Sequence, residues 1–154
     1  MHSYLLPCLN FGPVVIQRLV ARIAEPDLDK PLSENRFSPR EIVAHLADWE
    51  PILRGRIRAA VEAPGSTIQV YDEGRMAIDH DYANTDIQEQ SRLLRREREK
   101  TADYARSLNI EELKRTVTHP ERGLMSAEDL VGMLLGHDMY HVEQLSEYLP
   151  GETG

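Results

Sequence analysis

The sequence predicts an all-α protein, a four-helix bundle with a long crossover loop. Four segments repeat apolar residues at the spacing of an amphipathic helix, and capping residues mark the starts of three of them. One connection, residues 64–84, is long enough to cross over a bundle or to lie across its end. The chain of 154 residues suits one domain, residues 1–154.

The first two helices are marked by apolar stripes and by one strong start signal. We expect the first helix over about Leu5 to Ala24. The second begins at Ser38, an N-cap residue whose partner Glu41 can complete a capping box, and it ends near residues 63–65. Its apolar stripe reads Ile42, His45, Leu46, Trp49, Leu53, Ile57 and Ala60.

The other two helices follow in the second half of the chain. The third is expected from Thr85, and residues 92–100, a run of mixed charge, are interpreted as its solvated face. Its apolar positions are Ile87, Leu94, Thr101, Ala105 and Leu108. The fourth begins at Ser126 and ends near Leu149, and residues 114–125 before it resemble a small hairpin. Its stripe contains Leu130, Leu134, His137, His141, Leu145 and Tyr148.

The composition excludes several classes of protein. The formal charge of −8 disfavours nucleic acid as a partner. The single cysteine, Cys8, cannot form an internal disulfide, which favours a reducing compartment. The apolar N-terminal stretch is interrupted well short of the length of a membrane span and has no basic region before it. We therefore expect a cytoplasmic protein with no membrane partner.

Three histidines occupy apolar stripes, which points to a metal site. His137 and His141 are four residues apart, so their side chains lie on one face of a helix. His45 lies on the stripe of the second helix. The alternative is three separate core histidines, each needing its own donor and acceptor, and unpaired polar groups in a core cost about 1–3 kcal/mol each. One shared divalent metal satisfies a nitrogen of all three, so we favour the metal.

The segments SPREIVAHLADWE and GHDMYHVEQL resemble the metal-binding segments of the DinB-like superfamily, also called DinB_2 or YfiT-like. The order of elements, the THPERG stretch and the terminal HxxxH extend the resemblance over nearly the whole chain. The resemblance implies an up-down-down-up bundle that is commonly a homodimer. It also implies that His45, His137 and His141 are the metal ligands.

Three histidines with an open position are typical of a catalytic metal site rather than a structural one. Zinc, nickel or manganese could occupy it. A thiol or water bound there would become a usable nucleophile near neutral pH. The resembled family includes thiol transferases that act with low-molecular-weight thiols, so our first hypothesis is a metal-dependent transferase of that kind, acting on a small molecule.

Two other functions stay open. One is a metal-dependent hydrolase, which needs a general acid or base, and we see no carboxylate on the two histidine stripes. The other is a non-catalytic protein that binds a metal or small ligand in response to stress. Further candidates for site roles are Asp48, Trp49, Tyr140 and Gln144 on the helices, and Tyr71, Asp79, His80, Asp81 and Tyr82 in the 64–84 link. Trp49, Tyr140 and Gln144 are expected to serve packing or the surface.

Overall fold

Four long helices form the bundle in a computed structural model that describes residue 1 and residues 4–151. In chain order the elements are α1 (Leu5–Val20), α2 (Pro39–Glu62), α3 (Glu73–Asp79), α4 (Ile87–Ser107), α5 (Ile110–Leu113), β1 (Thr116–His119), β2 (Gly123–Ser126) and α6 (Ala127–Ser146). The all-α prediction is confirmed, since the two short strands form only a small antiparallel hairpin. Within the described residues, no helix is both long enough and apolar enough to cross a membrane.

Side-chain caps fix where the long helices begin. Ser38 forms the capping box that the sequence predicts, and Ser126, predicted as a helix start, forms one as well. The start of α4 differs by one residue from the prediction. Asp86 is its N-cap, because its carboxylate accepts the backbone N–H groups of Gln88 and Glu89, whereas the Thr85 hydroxyl donates to a carbonyl before the helix.

The first helix is shorter than predicted. Beyond Val20 the backbone forms two turns of the 3₁₀ type, which are tighter than those of an α-helix. In them the backbone N–H of Arg22 donates to the Leu19 carbonyl, and that of Ile23 donates to the Val20 carbonyl. Ala24 is then extended and ends the helical course. Residues 21–24, which the sequence places in the helix, therefore lie beyond its end.

The long helices run up, down, down and up. Hydrogen bonds between α2 and α4 follow the same order along both segments: Arg40 bonds to Thr85, just before α4, and Arg54 bonds to Glu97. The two helices are therefore parallel. Parallel neighbours cannot be joined by a tight turn, and residues 63–86 supply the crossover between them. Helix α1 packs between α4 and α6, and α2 packs against both of the same helices.

The link, residues 64–84 of this crossover, pairs with the hairpin and then returns over α2. Thr67 forms a parallel bridge with Thr118 of β1, and the Ile68 N–H donates to the Thr118 carbonyl at 3.0 Å. Farther along, the link forms α3 and a short 3₁₀ turn over Tyr82–Asn84. The link therefore joins the hairpin at one end and the middle of α2 at the other.

The core contains two apolar clusters with polar residues between them. One cluster is centred on Leu9, Leu53 and Leu134, and the other on Ile16, Leu46 and Leu145. Buried polar side chains include His45, Glu50, Arg98, Asp138 and His141. Buried groups of this kind need partners, so their contacts indicate where function lies.

Candidate metal centre

Three imidazole rings from α2 and α6 converge in the core. The Nε2 atoms of His45 and His137 are 3.0 Å apart, and those of His137 and His141 are 3.2 Å apart. One ligand atom from each of the three lies within 4.8 Å of the other two. The structure thus brings together the three histidines that the sequence singles out.

These distances fit the ligand shell of one metal ion. Two nitrogens at 2.0–2.1 Å from a tetrahedral zinc lie about 3.3 Å apart, close to the separations observed here. His45 is fully buried and His141 is 4% exposed, so a cation between the rings would be shielded from most of the solvent. His137 is half-buried and gives the centre its access to the outside.

Hydrogen bonding indicates which nitrogen of His141 is free. Its Nδ1 lies 2.9 Å from the Gln144 Oε1 oxygen, which can only accept, so Nδ1 carries the hydrogen and Nε2 keeps its lone pair. The Nδ1 of His45 is buried without a partner among the described residues. Gln144, expected at the surface, instead fixes the orientation of a ring in the cluster.

The surroundings keep all three rings neutral near pH 7. Burial, with the neighbouring rings of His137 and His141, lowers the pKa of His45 to about 2. Burial and the charges of Arg98 and Arg56 lower the pKa of His137 to about 4. The pKa of His141 is also lowered to about 4, by burial and by His137. Neutral imidazoles present the lone pairs that a metal needs.

Aromatic rings surround the inner side of the cluster. The ring centroids of Phe37 and Trp49 each lie 5.4 Å from that of His45, and the ring of Tyr82 lies 6.3 Å away. Trp49 belongs to the core as predicted, but it also lines the cavity beside the histidines. This apolar wall limits the access of water to His45.

The link is anchored to α2 through Asp48. One oxygen of this carboxylate accepts the Tyr82 hydroxyl at 2.6 Å and lies 2.7 Å from the Nδ1 of His80. Asp48 therefore holds the link rather than a histidine of the cluster. His80 is not part of the three-histidine group.

A second polar cluster was missed by the sequence analysis. Arg98, assigned to the solvated face of α4, is 1% exposed and pairs with Glu50 and Asp138, both also buried. Its fifth donor hydrogen is accepted by the Leu9 carbonyl at 2.9 Å. The expectation that no carboxylate shares the histidine stripes is also wrong, because Glu50 and Asp138 do so, although Arg98 holds both.

A cavity of about 560 Å³ opens onto His137 and His141. Its walls come from α2, α6, the link and the hairpin, and they include Trp49, Arg56, Tyr71, Glu73, His119, Arg122 and Tyr140. Tyr71 of the link thus belongs to the wall. A cavity of this size suits a small molecule.

Asp79, Asp81 and Cys8 lie outside the histidine cluster, whereas the ring centroid of Tyr140 lies 5.2 Å from that of His141. Asp79 pairs with Arg75 on the exposed face of α3, and Asp81 accepts a hydrogen bond from Asn84. Tyr140 is largely exposed at the mouth of the cavity. Cys8 is a free, half-buried thiol outside the histidine group. His2 lies outside the described residues.

Comparisons with known proteins agree with this geometry. The family model described as the DinB superfamily matches residues 11–145. A protein of Oceanobacillus iheyensis named "Putative metal-dependent hydrolase OB0782" is 25% identical over 134 residues, 87% of this chain and 77% of its own length. The similarly named YfiT of Bacillus subtilis is 24% identical over 138 residues, 88% of this chain and 76% of its own length.

Solved structures share the fold. The structure of YfiT from Bacillus subtilis, described as having an unusual four-helix bundle topology, matches with a TM-score of 0.86 at 22% identity, covering 94% of this chain and 83% of that one. A mycothiol-dependent maleylpyruvate isomerase matches with a TM-score of 0.73 at 14% identity, covering 92% of this chain and 59% of that one. The matched family model covers at least part of each of the four long helices and includes the three converging histidines, and the chain belongs to the DinB superfamily.

Proposed function

We propose that His45, His137 and His141 bind one divalent metal ion and that the protein uses it to activate a small thiol for transfer to an electrophile. The observation that carries the metal site is the convergence of three Nε2 atoms on one point in a buried setting. Three lone pairs at such separations repel one another unless a cation or a proton lies between them. The names of the relatives as metal-dependent hydrolases support the metal part of this proposal.

When bound, such a metal supplies Lewis acidity that lowers the pKa of a thiol or water. The protein contributes the arrangement around it. Gln144 fixes the orientation of His141, the rings of Phe37 and Trp49 exclude water from the side of His45, and the cavity admits a small molecule at His137. A thiol has an ordinary pKa of about 8.5, so modest acidification produces a thiolate without a protein base.

Hydrolysis is the second candidate function, and one residue favours it. Glu73 lines the same cavity, and burial raises the pKa of its carboxyl group. A carboxyl group with a raised pKa suits general acid–base catalysis. A Glu73→Gln variant should therefore lose ester hydrolysis if this candidate is correct and should keep thiol transfer if the first is correct.

The metal site is tested by metal analysis of protein purified without a nickel column. We expect about one equivalent of metal per chain in the wild type and its loss from a His137→Ala/His141→Ala variant. His80→Ala is the matched control, since it removes a histidine that bonds to Asp48 instead. Equal metal contents in the wild type and the double variant would exclude the site.

The two chemistries are separated by measuring consumption of several thiols with monochlorobimane beside hydrolysis of simple esters. Thiol consumption that depends on the metal supports the transferase, and ester cleavage supports the hydrolase. Activity in neither assay, with metal present, indicates a non-catalytic metal-binding protein.

We also propose that the metal is zinc or nickel, with manganese as a further candidate, because neutral imidazole suits several divalent ions. We further propose that the protein is a homodimer and that it is located in the cytoplasm. Elemental analysis identifies the metal, and light scattering gives the mass of the particle in solution.

A further inference from the structure

The cavity beside the three histidines contains an arginine with few partners. Arg56 of α2 is 8% exposed, yet it forms no ion pair among the described residues. Its Nη2 donates to the Gln69 carbonyl at 3.0 Å, its Nε is buried without a partner, and Nη1 has no hydrogen-bond acceptor in the described chain. A buried guanidinium with most of its donors unused lacks the acceptors that such groups normally have.

The position of Arg56 relates it to the metal centre. Its guanidinium carbon lies 5.5 Å from the ring centroid of Trp49, whose ring is itself 6.3 Å from that of His137. Arg56 and His137 both line the same cavity. A small molecule bound there can therefore contact Arg56 and approach His137 together.

A second cation, Arg122 of the hairpin, lines the same cavity. Arg122 is 55% exposed, its Nη1 lies 3.8 Å from the exposed carboxylate of Glu121, and the same Nη1 donates to the Nε2 of His119 at 3.2 Å. Burial and the charge of Arg122 together lower the pKa of Arg56. Two cations that repel each other in one cavity are stabilised when an anion lies between them.

We propose that Arg56, together with Arg122, holds the carboxylate of a small substrate whose other end reaches the three-histidine centre. The proposal deepens the proposed function and rests on it for the second contact. Planar guanidinium groups bind carboxylates through two parallel hydrogen bonds. Glu73 and Glu121 also line the cavity, and their charges favour a monoanion over a doubly charged phosphate.

The experiment uses cobalt-loaded protein and two thiols that differ in one group, 3-mercaptopropionate and its uncharged analogue 3-mercaptopropan-1-ol. The cobalt–sulfur absorption band reports contact with the metal. Fluorescence of Trp49, the only tryptophan in the chain, reports binding beside Arg56. Wild-type protein should bind the acid about tenfold more tightly than the alcohol.

An Arg56→Gln variant should lose this preference and keep its affinity for the alcohol. Arg56→Lys should retain part of the preference, because the charge remains while the planar fork is lost. Arg58→Gln is the matched control, since Arg58 lies two residues away on the same helix and pairs with Glu62 on the exposed surface. Thermal unfolding establishes that each variant is folded. If Arg56→Gln does not fold, Arg56→Lys is compared with the wild type in its place.

The outcomes separate this proposal from the function on which it rests. Retention of the preference for the acid in Arg56→Gln, or its absence in the wild type, overturns the carboxylate site. If neither thiol produces the cobalt–sulfur band, thiol activation fails, and propionate titrated against Trp49 fluorescence then decides the carboxylate site alone. A change in Trp49 fluorescence on adding propionate that the wild type shows and Arg56→Gln lacks supports the carboxylate site. Equal changes in the two proteins, or no change in either, overturn it. Tighter binding of inorganic phosphate than of propionate also overturns the choice of a carboxylate.

Discussion

Two polar clusters are buried between α2 and α6, and they differ in whether their members satisfy one another. In the first, Arg98 donates all five of its guanidinium hydrogens to Glu50, Asp138 and the Leu9 carbonyl. In the second, the Nε2 atoms of three neutral histidines face one another, and the Nδ1 of His45 has no partner among the described residues. The two clusters meet on α6, where His137 and Asp138 are consecutive.

The difference separates a structural role from a functional one. The Arg98 cluster is complete without any other molecule, so it serves to hold α1, α2, α4 and α6 together. The histidine cluster brings three Nε2 atoms together around a point where a proton or, as we propose, a bound cation would lie. Both clusters are buried and polar. They differ in hydrogen bonding, because every donor of Arg98 has an acceptor whereas the Nδ1 of His45 has no partner among the described residues.

The largest expected effect comes from removing the central charge of the complete cluster. Arg98→Met leaves Glu50 and Asp138 buried without their cation and should lower the free energy of unfolding by about 3–5 kcal/mol. Urea denaturation measures this. Arg96→Met, an exposed position on the same helix, should change stability by less than about 0.5 kcal/mol. A similar, small loss in both variants would contradict the assigned role of Arg98.

A bound cation should stabilise the three-histidine cluster. Zinc at a free concentration about a hundredfold above its Kd should raise the free energy of unfolding by about 2.7 kcal/mol, and chelation should reverse the gain. Thermal unfolding with and without zinc checks this. A His141→Ala variant, which lacks one of the three rings, should gain far less. An equal gain in wild type and variant would place the zinc elsewhere.

The contact between α1 and the Arg98 cluster depends on Gly12. A Cβ at this position would clash with the Asp138 Oδ2 oxygen, so Gly12→Ala should cost about 1–3 kcal/mol despite the better helix propensity of alanine. Gly55→Ala in α2 is the matched control. A Cβ there meets nothing within 4 Å, and the variant should be stabilised by up to about 1 kcal/mol. Chemical denaturation of both proteins gives the comparison, which fails if the two changes have the same sign.

The smallest expected effect concerns the orientation of one histidine. Gln144→Leu removes the acceptor for the Nδ1 hydrogen of His141 and should weaken zinc binding about tenfold. Competition with a chromophoric chelator measures the affinity. Glu143→Gln, an exposed neighbour, should bind zinc as the wild type does. Unchanged affinity in the Gln144 variant would show that the hydrogen bond does not orient the ring.

The sequence predicted the long helices and the meeting of the three histidines because these depend on local periodicity and on capping. His45 follows Ile42 at helical spacing, and Ser38 caps the same helix. The position of the hairpin was also predicted from its β-branched residues and its Pro–Gly pair. These signals are carried by neighbouring residues and need no knowledge of the tertiary structure.

The Arg98 cluster was missed because its three charged residues come from three helices. Within the run of mixed charge, Arg98 alone lies four residues after Leu94 and three before Thr101, which places it on the apolar stripe of α4. Asp138 has the same relation to Leu134 and His141 on α6. Periodicity could have identified both as buried, but the pairing between helices becomes visible only once they are packed.

The bridge between Thr67 and Thr118 has a consequence for how such proteins diverge. It ties the link to the hairpin, so the part of the cavity wall that carries Tyr71 and Arg122 is built from two joined loops outside the bundle. The three histidines, by contrast, are carried by long helices whose burial supplies most of the stability. Mutations in the loops can alter what the cavity accepts at little cost to folding, so one scaffold can come to accept new ligands during evolution while the three-histidine cluster stays in place.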